Sequence, residues 1–309
     1  MRLRVALPGA HHMPGVPAWV PALRAPDFQR FARAADELGY DAISVSEHMV
    51  MPLWEVPRLG PHWLHALTGM SFLAGATTRI RVDATVMVLP YHHPVDLAKA
   101  VASLDLLSGG RVDVSIGVGH AEQEFAALGQ SFADRGAVTD EALQVMKLCW
   151  SESEPVFEGK FFNLSGVAFA PHPVQEPRPP IYVGGNAKPA LRRAARHEGW
   201  QPNPLRITPE EIRSSLDYIA AQPEFEGKEG RFQVHLGIPG MRPDFERFGA
   251  ASGAERRAFR ERMLEGAGRF AGLGVTVTYF PMLPCASLDE FIDAIRWGAE
   301  EILPALRDL

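Results

Sequence analysis

The chain has 309 residues, a formal charge of -6, and 46% hydrophobic against 22% charged residues. That balance suits a globular protein with a sizeable core, and it excludes both a disordered chain and a basic nucleic-acid-binding surface. Its two cysteines, Cys149 and Cys285, lack metal-site spacing, and with no apolar signal-peptide core in residues 1–15 and no membrane-length apolar run, a reduced, cytoplasmic location is expected.

Strand and helix patterns alternate along the chain. Arg2 to Leu7 reads as a strand. Asp27 to Leu38 reads as an amphipathic helix with Phe28, Phe31, Ala32, Ala35 and Leu38 on one side, stopped by Gly39. Strands follow at 41–46 and 80–89, the latter long and mostly buried, with a helix over 62–77 between them. A helix over 94–107 ends at Gly109–Gly110, and residues 111–118 form the next strand. Residues 135–150 are helical, and 155–174 are expected to make a hairpin excursion. Strands at 180–185, 199–202, 231–238 and 275–280 then alternate with helices over 189–197, 209–221, 254–270 and 288–303. About eight strand–helix units in one series predict a parallel sheet closed into a (β/α)8 barrel, a single domain over 1–309, with an open doubly wound sheet as the alternative.

In RVDVSIGVGH (111–120), Val112, Val114, Ile116 and Val118 share one strand face, and Asp113, Ser115, Gly117 and Gly119 share the other. In a barrel the second face points inward. The glycines then either open room for a flat ligand at the mouth or admit a bulky neighbour of the protein's own.

Three stretches together resemble the luciferase-like flavin and deazaflavin oxidoreductases: SVSEHMVMP (44–52), the run from ATVMVLPYHH through LDLLSGGRVDVSIGVGHAEQEFAALG (84–129), and PIYVGGNAKPALRRAARHEGW (180–200). The resemblance covers most of residues 1–200 and fades beyond 205. It implies a TIM barrel whose mouth holds coenzyme F420 or FMN, a small-molecule substrate and a homodimer. EFAALGQSFADRGAVTDEAL (124–143) is more similar to the F420-dependent group: FMN monooxygenases of the family often carry a tyrosine after the arginine, where this chain has Arg135–Gly136. The expected activity is therefore F420-dependent hydride transfer to or from an apolar organic substrate. An FMN-dependent monooxygenase is the alternative, and a flavin-binding barrel without turnover is a third reading.

The resemblance also implies site residues. His48 would face the reactive centre as proton donor or acceptor, with Glu47 bonding the cofactor ring or orienting the imidazole. Thr85–Val86 would be a non-proline cis peptide behind the ring, with Met87 nearby. Gly184, Gly185 and Asn186 would offer backbone amides to the cofactor phosphate, with help from Lys188, while Arg192 reads as a solvated helix charge. His120 departs from the family's usual residue; it reads as a second proton-handling group oriented by Glu122 or Glu124, or as pocket lining. Trp54 and Trp63 in MVMPLWEVPRLGPHW suggest either a lid for an apolar substrate or a dimer contact. His11 and His12 are within reach of the mouth, without partners at metal-ligand spacing. His92 and His93 read as a helix start. No G-x-S-x-G elbow, P-loop or zinc signature is present.

Overall fold

The computed structural model describes residues 1–309 apart from the Arg206 side chain. The strands are β1 (Arg2–Ala6), β2 (Ala42–Val45), β3 (Arg81–Ala84), β4 (Met87–Val88), β5 (Val114–Gly117), β6 (Phe157–Glu158), β7 (Asn163–Leu164), β8 (Ile181–Gly184), β9 (Gly199–Gln201), β10 (Gln233–Val234) and β11 (Val277–Phe280). Two parallel arcs form, β11-β1-β2-β3 and β10-β9-β8-β5-β4. Single parallel bridges at Val82–Val112 and His235–Val277 join their ends. The circuit is closed: a TIM barrel of the luciferase-like type, with β3 and β4 sharing one position. The pair β6–β7 is the antiparallel hairpin expected within 155–174.

The helices are α1 (Ala25–Glu37), α2 (Val56–Leu59), α3 (Ala66–Ala76), α4 (Pro94–Ser108), α5 (Glu122–Ala127), α6 (Arg135–Ser151), α7 (Lys188–Ala195), α8 (Pro209–Ala220), α9 (Gly253–Ala271), α10 (Leu288–Glu301) and α11 (Leu303–Arg307). The outward faces of the strands pack against them: Leu3, Val5, Ile43, Val82, Val114, Ile116, Ile181 and Val183 are buried with Phe31, Met70, Leu97, Val101 and Met146 in one core. Gly109 ends α4 in the left-handed conformation. Arg111 then donates to the carbonyls of Ala74, Thr77, Ile80 and Ser108, tying the ends of α3 and α4 to the sheet. That contact is the structural task of LDLLSGGR.

The strand expected over 231–238 is only Gln233–Val234, and two further expected elements differ. Residues 80–89 are not one strand, because the chain breaks at Thr85–Val86 and resumes as β4, which pairs with β5 and not with β2. Residues 62–65 are not helical: the amide of His12 donates to the carbonyl of His62 (3.0 Å) and that of Leu64 to Ala10 (2.8 Å). These backbone groups are taken by the β1 loop, so α3 begins only at Ala66.

Inside the barrel, below the mouth, the inward positions carry charge. The wholly buried Arg4 donates to Asp41 (2.8 Å), Asp83 (2.9 Å) and Asp113 (2.5 Å), and Arg81 adds a second guanidinium on Asp113. Asp113, on the same strand face as Ser115 and Gly117, is therefore the centre of a packed ion-pair network. Burial without such partners would cost several kcal/mol for each charge, and Asp83 Oδ1 is the one oxygen of Asp83 and Asp113 left without a hydrogen-bond partner among the described residues.

Candidate functional site

The C-terminal end of β2 delivers Glu47 and His48 to opposite surroundings. The Glu47 side chain is buried; it accepts from the Val88 amide (2.7 Å) and lies 3.0 Å from His92 Nε2. It makes no contact with His48, so orienting that imidazole is not its part; both of its oxygens lie against His92 Nε2, at 3.1 and 3.0 Å. Its actual work is to tie β2 to the chain just past the 85–86 peptide. His92 has this partnership, while His93 caps α4 by accepting from the Val95 amide.

His48 is held from α5. Its Nδ1 lies 3.0 Å from Glu124 Oε2, which also accepts from the Tyr91 hydroxyl (2.9 Å), while Glu124 Oε1 accepts from the amides of Met49 (2.5 Å) and Val50 (3.3 Å). Burial works against the Glu124 charge, but the bonds from His48, Met49 and Tyr91 prevail and hold its carboxyl below the usual carboxylate range. An ionised carboxylate only accepts, so Nδ1 of His48 is the donor and Nε2 is left as the acceptor of the neutral ring. Among the described residues Nε2 has no hydrogen-bond partner. His48 therefore presents one proton-handling nitrogen, backed by an anion.

Beside it the Thr85–Val86 peptide is cis. The Thr85 amide donates to the Val45 carbonyl (2.6 Å), hooking the break onto β2. A Cβ on Gly117 would stand 2.7 Å from Val86 Cγ2, and one on Gly184 3.0 Å from Val86 Cγ1; on Gly119 it would meet Val88 Cγ1 at 2.7 Å and Phe125 at 2.8 Å. The room beside Gly117 and Gly119 is thus taken by the protein's own side chains, the second of the two readings of these glycines. Thr85 and Val86 remain half-buried. Met87 is wholly buried in the core and offers no contact at the mouth.

The 184–186 loop is also more committed than expected. The Gly185 amide donates to Gln201 (3.1 Å), and Trp200 Nε1 donates to the Gly185 carbonyl (2.8 Å). Asn186 Oδ1 accepts from the Asn203 amide (2.8 Å). The amide of Gly185 is thereby engaged. At the start of α7, which has no side-chain cap, the unbonded donor is the Lys188 amide, since Pro189 has no N–H and the Ala190 amide donates to Ala187 (2.8 Å). Lys188 turns away, 5.6 Å over the Tyr218 ring, and the exposed Arg192 donates to the Tyr218 hydroxyl (3.1 Å).

Over the mouth, Trp63 stacks on His11 (4.6 Å between centroids) and meets His48 edge-on (4.6 Å). His12 stacks on His62 (3.7 Å). His120 is exposed, 5.9 Å from His48. Neither expected carboxylate orients it: Glu124 is engaged with His48, and Glu122 is exposed with no bond to it among the described residues. Trp54 is 61% exposed and donates to Gln123 (3.4 Å), an outer rim and not a wall of the site. Glu124, Tyr91 and His92 are the residues whose parts the sequence concealed; the one local sign was an acidic residue directly before the apolar Phe125 on a short helix.

Residues 1–229 match the model of the luciferase-like monooxygenases. The chain belongs to that family. Luciferase-like relatives are oxidoreductases and monooxygenases, and they divide by cofactor. The chain is 31% identical over 170 residues to the F420-dependent glucose-6-phosphate dehydrogenase of Gordonia bronchialis, covering 53% of this chain and 48% of that one. It is 30% identical over 131 residues to the FMNH2-dependent dimethylsulfone monooxygenase of Pseudomonas putida, covering 41% and 36%. Among solved structures, monooxygenase RslO1 from Streptomyces bottropensis superposes with a TM-score of 0.76 at 22% identity over 98% of this chain and 99% of that one, a likeness of fold. No helix among the described residues is long and apolar enough to cross a membrane.

Proposed function

We propose that this luciferase-like barrel is an F420-dependent oxidoreductase acting on an organic substrate. The carrying observation is His48 fixed by Glu124 with Nε2 uncommitted at the mouth. The residues present fit a planar cofactor with a phosphate tail: the half-buried Thr85–Val86 step backs the ring, and the uncapped start of α7 receives the phosphate. When bound, F420 supplies a carbon centre that gives or takes a hydride and does not activate oxygen. His48 Nε2 gives or takes the accompanying proton, and Glu124 stabilises the imidazolium that forms during proton uptake. Trp63 covers one edge of the imidazole and keeps water from that side.

Support for F420 over FMN comes from the Gordonia relative and from Arg135–Gly136. Arg135 stacks on Phe132 at 3.9 Å and donates to its carbonyl, and Gly136 gives that turn no side chain for a flavin phosphate. An FMN monooxygenase is favoured by the Pseudomonas relative. Titrating the protein with F420 and with FMN, followed by fluorescence, tests the choice. Tight F420 and weak FMN binding is expected; the reverse order would establish the monooxygenase reading, and binding of neither would leave a barrel without turnover.

A further inference from the structure

We propose that the substrate carries an anionic group, a carboxylate or a phosphate ester, seated against the imidazoles of His11, His12, His62 and His120. This names the substrate class of the site above and so rests on the oxidoreductase reading.

The four rings belong to one wall. The antiparallel bridge His11–Trp63 and the His12-to-His62 backbone bond lash the β1 loop to residues 62–64. They bring His12 and His62 face to face at 3.7 Å and 7°, and they stack His11 on Trp63. Trp63 touches His48, and His48 faces His120, so the wall is continuous with the proton-handling ring.

This wall lacks counter-charge. Glu124 is engaged with His48, Tyr91 and two amides, and Glu55 is buried against Arg58 at 2.6 Å. Glu122 is exposed at the start of α5. Among the described residues none of the four imidazoles has an ion-pair partner, and His11 Nδ1 is buried without any hydrogen bond. A metal is a poor fit, since no group of three or more His, Cys, Asp or Glu among the described residues is arranged to hold one. An anion supplies what is missing: a charge for the rings to share and acceptors for their N–H groups. Met13, Leu53 and Trp54, all exposed on the same two loops, provide an apolar rim for the rest of the molecule.

The proton linkage follows. Burial first, then the neighbouring imidazoles, push His11, His12 and His120 below the ordinary histidine value; Arg58 adds to this at His120, against Glu55 and Glu124. A bound anion raises those values. Its affinity is greatest below the free-ring values and declines as pH rises through the bound ones.

The test is histidine-ring NMR on the cofactor-free protein between pH 5.5 and 8, with sodium phosphate, acetate or chloride at matched ionic strength. Phosphate or acetate should move the His11, His12, His62 and His120 ring signals and raise the midpoints of His11, His12 and His120, and chloride should not; the anion that acts identifies phosphate ester or carboxylate. His12→Gln with His62→Gln should weaken that anion about tenfold at pH 6, equivalent to one pK unit of lost interaction. Rings in the wild-type protein that ignore both anions would overturn the proposal whether or not the variants fold. F420 binding is measured separately: F420 bound with unresponsive rings defeats only this proposal, and responsive rings without F420 binding defeat only the cofactor reading.

Discussion

Glu124 and His48, 76 residues apart in the chain, meet at 3.0 Å through Oε2 and Nδ1, and this contact fixes which imidazole nitrogen faces the barrel mouth. The first prediction concerns that nitrogen. Ring NMR should find neutral His48 protonated at Nδ1. Glu124→Gln should disturb that tautomer and slow hydride transfer about 10- to 100-fold, the usual effect of losing a ring-orienting carboxylate. F420 affinity should change little. An Nε2-protonated His48 in the wild-type protein would contradict the assignment.

Val86 fits between two glycines, which makes their packing measurable. Gly117→Ala should destabilise the protein by about 1–3 kcal/mol, the usual cost of overpacking. Combined with Val86→Ala, the loss should largely disappear, because the added Cβ meets Val86 Cγ2 at 2.7 Å. Gly136→Ala is the control: nothing lies within 4 Å of a Cβ there, and the helical site should gain up to about 1 kcal/mol. Denaturant titrations of these three variants, and of Val86→Ala alone, decide it.

These two relationships show what the sequence made legible. Alternating periodicity reports which face of an element is buried, so strands, helices and the closed barrel followed from it. Periodicity cannot report what fills the space beyond a small residue. Gly117 reads the same whether a ligand or Val86 stands opposite, and the sequence separates Gly117 from Val86 by 31 positions. The part of Glu47 as orienter of His48 came from the family resemblance, and its partner His92 lies 45 positions away, beyond the reach of local pattern. The cis peptide at 85–86 came from the family resemblance, since no property of Thr or Val announces it. Helix 62–77 was overextended because the bonds that hold 62–64 come from the β1 loop.

The lumen network predicts a pH effect. Asp83 is driven up to about 7, first by burial and then by the Asp113 charge, with Arg4 opposing. A folded-state value above the ordinary 3.8 means that this group's contribution is complete below about pH 4 and is lost as pH rises through 7. Asp83→Asn should therefore match the wild type in acid and become relatively more stable above pH 7. Urea melts at pH 5, 7 and 8.5 give the comparison; a variant whose deficit grows with pH would contradict the assignment.

Removing the central cation should be far more damaging. Arg4→Met leaves buried Asp83 with no cation and Asp113 with Arg81 alone, and a loss of about 3–5 kcal/mol is expected. Chemical denaturation at pH 7 measures it, and an unchanged midpoint would show that the network contributes nothing net.

The most direct test of the whole account is a crystal structure of the F420 complex. The deazaflavin ring should lie against Val86 with its reactive carbon facing His48 Nε2 and its phosphate on the first turn of α7. A ring found away from the barrel mouth, or turned so that His48 meets only its far edge, would contradict it.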